Sequence, residues 1–75
     1  MAKAKRVLMI CVSNVGVEAS LERRKIYEAI PDAAAAKKGL VRIVDESGDH
    51  YLYSTKMFVA ASLPTAIRRA VLKAA

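Results

Sequence analysis

Few side chains in this sequence can act as a nucleophile, a base or a metal ligand. Cys11 is the only cysteine and His50 the only histidine, so together they form the only nucleophile–base pair of this kind. Cys11 lies within the apolar run 7–12, where a thiol behaves as a small hydrophobic group and its thiolate is costly. We therefore expect Cys11 in the core, His50 on the solvent side of a hairpin, and no enzyme activity.

Three carboxylates, Asp45, Glu46 and Asp49, surround Gly48. These carboxylates lack the ligand spacing of a calcium loop. A zinc site closed by cysteine and histidine ligands is also excluded, because the chain has one residue of each. We expect ordinary turn chemistry, with the Asp45 side chain bonding to the local backbone. The sequence thus predicts no catalytic, cofactor-binding or metal site, no cofactor and no small-molecule substrate.

The charge is strongly basic and unevenly distributed. Thirteen lysines and arginines against seven acids give a net charge of +6, and no acid follows residue 49. Cationic ends attract phosphate backbones, although net charge also keeps a small protein in solution. Placement distinguishes the two interpretations, because a phosphate-binding surface needs its cations on one face. The basic residues used for this comparison are Arg23, Arg24, Lys37, Lys38, Arg68 and Arg69.

Aromatic side chains are scarce, and two of them lie on one predicted strand. Tyr51 and Tyr53 are two residues apart and share a face, whereas His50 and Leu52 share the other. Exposed beside Arg42, the tyrosines would stack on bases; turned inward, they would fill the core. We expect at least one of them to be mostly buried. The candidate binding surface comprises Arg23, Arg24, Arg42, Tyr51, Tyr53, Arg68 and Arg69.

The 75 residues allow one domain, with β-structure predicted by local patterns. Strands are predicted over 6–12, 25–30, 40–44, 50–53 and 57–60. Residues 13–24 are predicted to form a long loop. A helix through residues 18–24 is the alternative, and it would replace a barrel by a less specific α+β fold.

Two helical segments complete the prediction. Asp32, four alanines and Gly39 indicate a short helical insertion near residues 32–38. Pro64 opens a C-terminal helix near residues 64–74, which we expect to cover a barrel opening or edge with Ile67 and Val71.

The segment LVRIVDESGDHYLYSTKMFV, residues 40–59, resembles the second half of small Src-homology-3-like barrels. With ASLERRKIYEAIPD before it, the chain is similar to a group of short bacterial proteins without assigned function. The resemblance implies a five-stranded barrel. It does not extend to proline-rich ligands, because the chain has no tryptophan and has Ser54 where a proline commonly follows the tyrosine.

Location and partners follow from the same observations. The basic N-terminus before residues 7–12 imitates a secretory signal, but its apolar run is too short, so we expect a cytoplasmic protein that does not bind membranes. The favoured hypothesis is a non-catalytic interaction module that binds a protein partner or forms a homodimer. The alternative is a barrel that binds RNA or DNA through its cationic ends.

Overall fold

Five strands form the framework of the protein. The structure, a computed structural model, describes residues 6–74, so Lys3 and Lys5 of the basic N-terminus lie outside the described residues. The strands are β1 (Val7–Cys11), β2 (Ile26–Ile30), β3 (Leu40–Val44), β4 (His50–Ser54) and β5 (Phe58–Ala60). They form one antiparallel sheet in the order β4-β3-β2-β1-β5. Each boundary lies within one residue of its prediction, and the mainly β fold is confirmed.

The sheet curls into a half-barrel around one core. A 3₁₀ turn at Thr55–Met57 carries the chain from β4 to β5, which pairs with β1. Phe58 lies between Tyr27 and Tyr53 in the core, with both pairs of ring centroids 6.3 Å apart in edge-to-face arrangements. The buried inward-facing cluster consists of Cys11, Leu21, Tyr27, Ala29, Ile43, Tyr53 and Phe58.

The segment between β1 and β2 is a long loop, as predicted, and the helical alternative over residues 18–24 is wrong. Leu21 is fully buried in the core and Val17 packs against it. The Glu46 N–H donates to the Ser20 carbonyl over 3.0 Å, which ties the loop to the β3–β4 turn. The loop residues thus contribute to the core without forming a helix.

The predicted insertion is a helix of one turn, α1 (Ala33–Ala36). The Asp32 carboxylate caps it by accepting from the Ala35 N–H over 3.0 Å. Gly39 has a φ of +72°, a left-handed conformation that ends the turn and that glycine adopts without steric cost.

The C-terminal helix, α2 (Thr65–Lys73), lies against the outer face of the sheet rather than over a barrel opening. Val71 lines a groove of about 510 Å³ together with outer-face residues that include Leu8, Ile26 and Val44. The prediction that Ile67 also covers the barrel is wrong, since that side chain is 52% exposed. Ile67 precedes Val71 by one turn on the same face of α2, so this face is partly covered at Val71 and open to solvent at Ile67. Neither helix in residues 6–74 is long and apolar enough to cross a membrane.

Candidate binding surface

Tyr53 is a core residue rather than a surface residue. It is 9% exposed, and its hydroxyl donates to Asp45 Oδ2, so its ring is not available to stack on a base. The expectation that at least one of the two tyrosines is buried is therefore confirmed. Tyr51 shares the same side of β4 but lies nearer the hairpin turn, and it is 52% exposed.

Asp45 is a buried carboxylate whose oxygens both accept hydrogen bonds. Its Oδ1 accepts from the Ser47 N–H over 2.9 Å, which confirms the expected local backbone bond, and also from the Ser47 hydroxyl. Burial raises the pKa of Asp45, but the hydrogen bonds from Ser47 and Tyr53 outweigh burial and leave the pKa below its ordinary value. Asp45 is thus a structural anion of the hairpin.

Glu46 joins the long loop to the sheet. Its Oε2 accepts from the Lys25 ammonium over 2.6 Å and from the Tyr27 hydroxyl over 2.5 Å. The same hydroxyl accepts from the Glu22 N–H over 2.6 Å. These bonds from Lys25 and Tyr27 lower the pKa of Glu46, and burial together with Glu46 raises the pKa of Tyr27. The network fixes the loop where it enters β2.

Arg42 lies on the outer face of the sheet and is already paired. Its guanidinium contacts the Asp32 carboxylate at 2.9 and 3.0 Å and lies 3.1 Å from His50 Nδ1. The pKa of Asp32 is lowered by the Ala35 N–H and by Arg42. Arg42 therefore connects α1 to the hairpin, and it does not lie beside an exposed tyrosine pair.

The two arginines of α2 lie apart from the other candidates. The Arg68 guanidinium donates to the Arg6 carbonyl oxygen, while Arg69 is exposed. Arg6 in turn pairs with Glu28. These contacts place Arg68 near the start of β1, whereas Arg24 lies beside the end of β1, where its N–H donates to the Cys11 carbonyl.

Arg23 and Arg24 belong to a line of cations that the backbone brings together where the 3₁₀ turn closes the half-barrel. The Arg24 N–H donates to the Cys11 carbonyl over 2.7 Å, and the Val12 N–H donates to the Met57 carbonyl over 2.8 Å. At the other end of the turn, the Thr55 N–H donates to the Gly39 carbonyl over 3.0 Å. The basic residues on or next to this path, here named the cationic strip, are Arg23, Arg24, Lys37, Lys38 and Lys56.

All five cations of the strip are exposed, and none forms an ion pair within residues 6–74. Glu22 precedes Arg23 in the long loop, but it pairs with Lys25, whose Nζ lies 4.0 Å from Glu22 Oε2. The set of basic residues that the sequence analysis selected includes Lys37 and Lys38 but not Lys56. The signal that could have found Lys56 is its place in the turn 54–56, which has to cross from one edge strand to the other.

Arg24 has a φ of +73° and is the one non-glycine residue within 6–74 with positive φ. This left-handed conformation costs an ordinary residue about 1–2 kcal/mol. The position is occupied by an exposed cation although glycine would adopt the same backbone more readily.

The possible Cys11–His50 pair is not assembled. Cys11 is fully buried on the inward face and its thiol donates to the Ser13 carbonyl over 3.3 Å. His50 is exposed on the outer face of β4 beside Arg42. Among residues 6–74, no three side chains of histidine, cysteine, aspartate or glutamate are grouped to hold a metal ion.

Comparisons with protein-family models, with curated proteins and with solved structures find no match to this chain. The candidate site therefore rests on its own geometry, in which the cationic strip is the one place in residues 6–74 where backbone hydrogen bonds bring unpaired cations from three chain segments together.

Proposed function

We propose that this chain is a non-catalytic binding module on a Src-homology-3-like small barrel, and that it binds the phosphate backbone of a nucleic acid through the cationic strip. The observation that carries the proposal is the strip itself, with five exposed cations and no acid paired to them within residues 6–74. Neutralising phosphates with such groups releases counterions and favours binding.

The barrel assignment rests on topology. The long loop follows the first strand, β3 and β4 form a tight hairpin, and the 3₁₀ turn leads into a short last strand that pairs with β1. This is the arrangement that the resemblance of residues 40–59 implies. The strip lies where the long loop, the end of α1 and the 3₁₀ turn meet.

The aromatic residues favour contacts with phosphates over contacts with bases. Tyr27, Tyr53 and Phe58 are buried, and the exposed Tyr51 lies toward the hairpin turn rather than on the strip. Proteins usually bind the bases of single strands by stacking them on exposed aromatic rings. A strip without such rings contacts the phosphate backbone and has little sequence preference.

Fluorescence anisotropy of a labelled random-sequence single-stranded RNA tests this. With about four phosphate contacts, the affinity falls about 50-fold between about 50 and about 200 mM salt. The variant Lys38→Gln/Lys56→Gln binds more weakly and lowers the slope of log affinity against log salt by about 1.4. The matched control Arg69→Gln/Lys73→Gln removes the same charge from exposed positions of α2 and leaves the slope nearly unchanged.

Absence of binding at tens of micromolar protein contradicts the proposal. An equal effect of the strip and control variants also contradicts it, since net charge alone would then explain the binding. Duplex DNA in parallel, with its steeper salt dependence, shows which form of phosphate backbone the strip prefers.

A further inference from the structure

The free edge of β4 is the longer of the two sheet edges and lacks the usual protection. β4 spans five residues and pairs with β3 on one side, whereas β5 at the other edge spans three. Edge strands are normally blunted by charged residues, proline or bulges. The sequence of β4, HYLYS, contains no lysine, arginine, acid or proline.

The hydrogen-bond alternation shows which backbone groups this edge presents. Asp45 bonds with Asp49 and Gly39 bonds with Thr55, and these pairs extend the β3–β4 register at both ends. In an antiparallel ladder every second pair exchanges hydrogen bonds, so the odd-numbered residues of β4 bond to β3. The N–H and C=O groups of His50 and Leu52 and the N–H of Ser54 therefore point away from β3, and no backbone hydrogen bond from another element reaches them within residues 6–74. The Ser54 carbonyl is used differently, because it accepts the first hydrogen bond of the 3₁₀ turn at Thr55–Met57.

These three residues allow a symmetric pairing. In an antiparallel pair of two β4 strands centred on Leu52, Leu52 faces its own copy, and His50 faces Ser54. The Leu52 pair can exchange two hydrogen bonds, and in each His50–Ser54 pair the Ser54 N–H can donate to the His50 carbonyl. Leu52 is 42% exposed and lies on the axis, where the two copies would contact each other.

Charge favours this orientation over a parallel one. One end of β4 carries the acidic turn with Asp45, Glu46 and Asp49, and the other end meets Lys56 and, through the Gly39–Thr55 bond, Lys38. Antiparallel pairing about Leu52 places Asp49 opposite Thr55 of the second copy, next to Lys56. Asp49 has no ion-pair partner within residues 6–74. A parallel pair would instead place the two acidic turns together.

We propose that β4 is a self-association edge, at which a second copy of this chain adds its own β4 in antiparallel register centred on Leu52. The contact is a short strand pair with few large side chains, so we expect a weak dimer. The occupant is a second copy because the acidic and basic ends of one β4 complement those of another.

Sedimentation velocity over about 10 micromolar to about 1 millimolar chain measures the dimer. We expect Leu52→Glu to raise the dissociation constant more than about tenfold, because two carboxylates then meet on the axis. In the monomer the introduced carboxylate would lie beside Arg42, the register partner of Leu52, which favours folding of the variant. The control Val59→Glu changes a 48% exposed outer-face residue on the other edge and alters the constant less than about twofold.

Charge exchange tests the register. Asp49→Lys is expected to weaken the dimer, and Asp49→Lys/Lys56→Glu to restore it, because the opposite charges then meet with their positions exchanged. Amide hydrogen exchange of the unmodified chain adds a measurement that needs no variant. At high concentration the Leu52 and Ser54 amides gain protection, whereas the Tyr51 and Tyr53 amides, already bonded to β3, change little.

A chain that stays monomeric at about 1 millimolar overturns the proposal, and any partner strand at β4 would then have to come from another protein. Equal effects of Leu52→Glu and Val59→Glu also overturn it, as does a dimer in which the outward amides of β4 gain no protection.

Discussion

At the scale of single residues, Asp45 links the hairpin turn to the core. Its buried carboxylate accepts from the buried Tyr53 hydroxyl on one side and from the Ser47 backbone on the other. A buried charge is stable only when such bonds satisfy it, and here the bonds from Tyr53 and Ser47 do so. The turn and the inward face of β4 are therefore energetically connected.

Asp45→Asn is expected to lower the free energy of unfolding by about 1–3 kcal/mol. The amide nitrogen would replace a carboxylate oxygen that accepts from the Tyr53 hydroxyl or from Ser47. Urea denaturation measures the change, with the exposed Asp49→Asn as the control that stays within about 0.5 kcal/mol. Equal stability of the two variants would show that the Asp45 carboxylate contributes nothing to the fold.

Asp45 and Glu46 also contribute, together with Asp32, to the loss of stability in acid. Asp45 and Glu46 have folded-state pKa values below their ordinary values of 3.8 and 4.5, so their contribution is full above those values. It is lost as the pH falls through the lowered pKa values, where protonation breaks the bonds. We expect unfolding free energy by urea to be level near pH 6 and to fall below about pH 4, less steeply in Glu46→Gln. A level profile down to about pH 2.5 would contradict this assignment.

Arg24 combines backbone strain with a position in the cationic strip. Arg24→Gly removes the cost of a left-handed arginine, about 1–2 kcal/mol, and adds the entropy cost of glycine, so stability stays level or rises by up to about 1 kcal/mol. The same variant lowers RNA affinity if the cation binds phosphate. Thermal unfolding and anisotropy read the two effects separately, and a stable variant with unchanged affinity would remove Arg24 from the binding surface.

Individual side chains differ in how well the sequence predicts them. Cys11 is predicted as core because it lies in a continuous apolar run, and that local signal holds. The sequence leaves open whether Arg42 lies beside exposed tyrosines, and the structure pairs it with Asp32, ten residues earlier. That contact depends on how α1 lies against β3, and no pattern within a short window contains it.

At the scale of elements, predictions succeed where the signals are local. The alternation and glycine turn of residues 40–54, the Asp32 cap and the Pro64 start all involve neighbours in sequence, and they predict the hairpin and both helices. The face of α2 that lies against the sheet cannot be predicted from such local signals. Ile67 and Val71 are equivalent in helical periodicity, yet Ile67 is 52% exposed whereas Val71 is half-buried, and this difference depends on tertiary contacts that the periodicity does not contain.

Deletion of residues 64–75 tests what α2 covers. Leu8, on the outer face, is 1% exposed, and it lines the same groove as Val71. Removing the helix uncovers apolar sheet surface, so we expect a lower melting temperature and concentration-dependent association beyond that of the full chain. Calorimetry and light scattering measure both. A truncated chain with unchanged melting temperature and mass would show that the helix does not protect the sheet.

At the scale of the whole molecule, the acids determine where the positive charge is left unpaired. Glu22, Glu28, Asp32 and Glu46 lie in ion pairs with Arg6, Lys25 and Arg42, and Asp45 is satisfied within the hairpin. Within residues 6–74, the remaining cations lie on the strip and on α2. The net charge of the sequence predicts an attraction for anions. Which cations stay unpaired on one surface depends on the curvature of the sheet, because the 3₁₀ turn brings Lys56 between α1 and the long loop.

Binding of phosphate by the cationic strip, rather than by net charge or by α2, can be mapped residue by residue. Amide chemical shifts would be followed during titration with random-sequence single-stranded RNA at about 50 mM salt. We expect shifts concentrated at residues 23–24, 37–39 and 55–57 that disappear at about 200 mM salt. Shifts centred on Arg69 and Lys73, or spread evenly over all exposed cations, would show that the strip is not the binding surface.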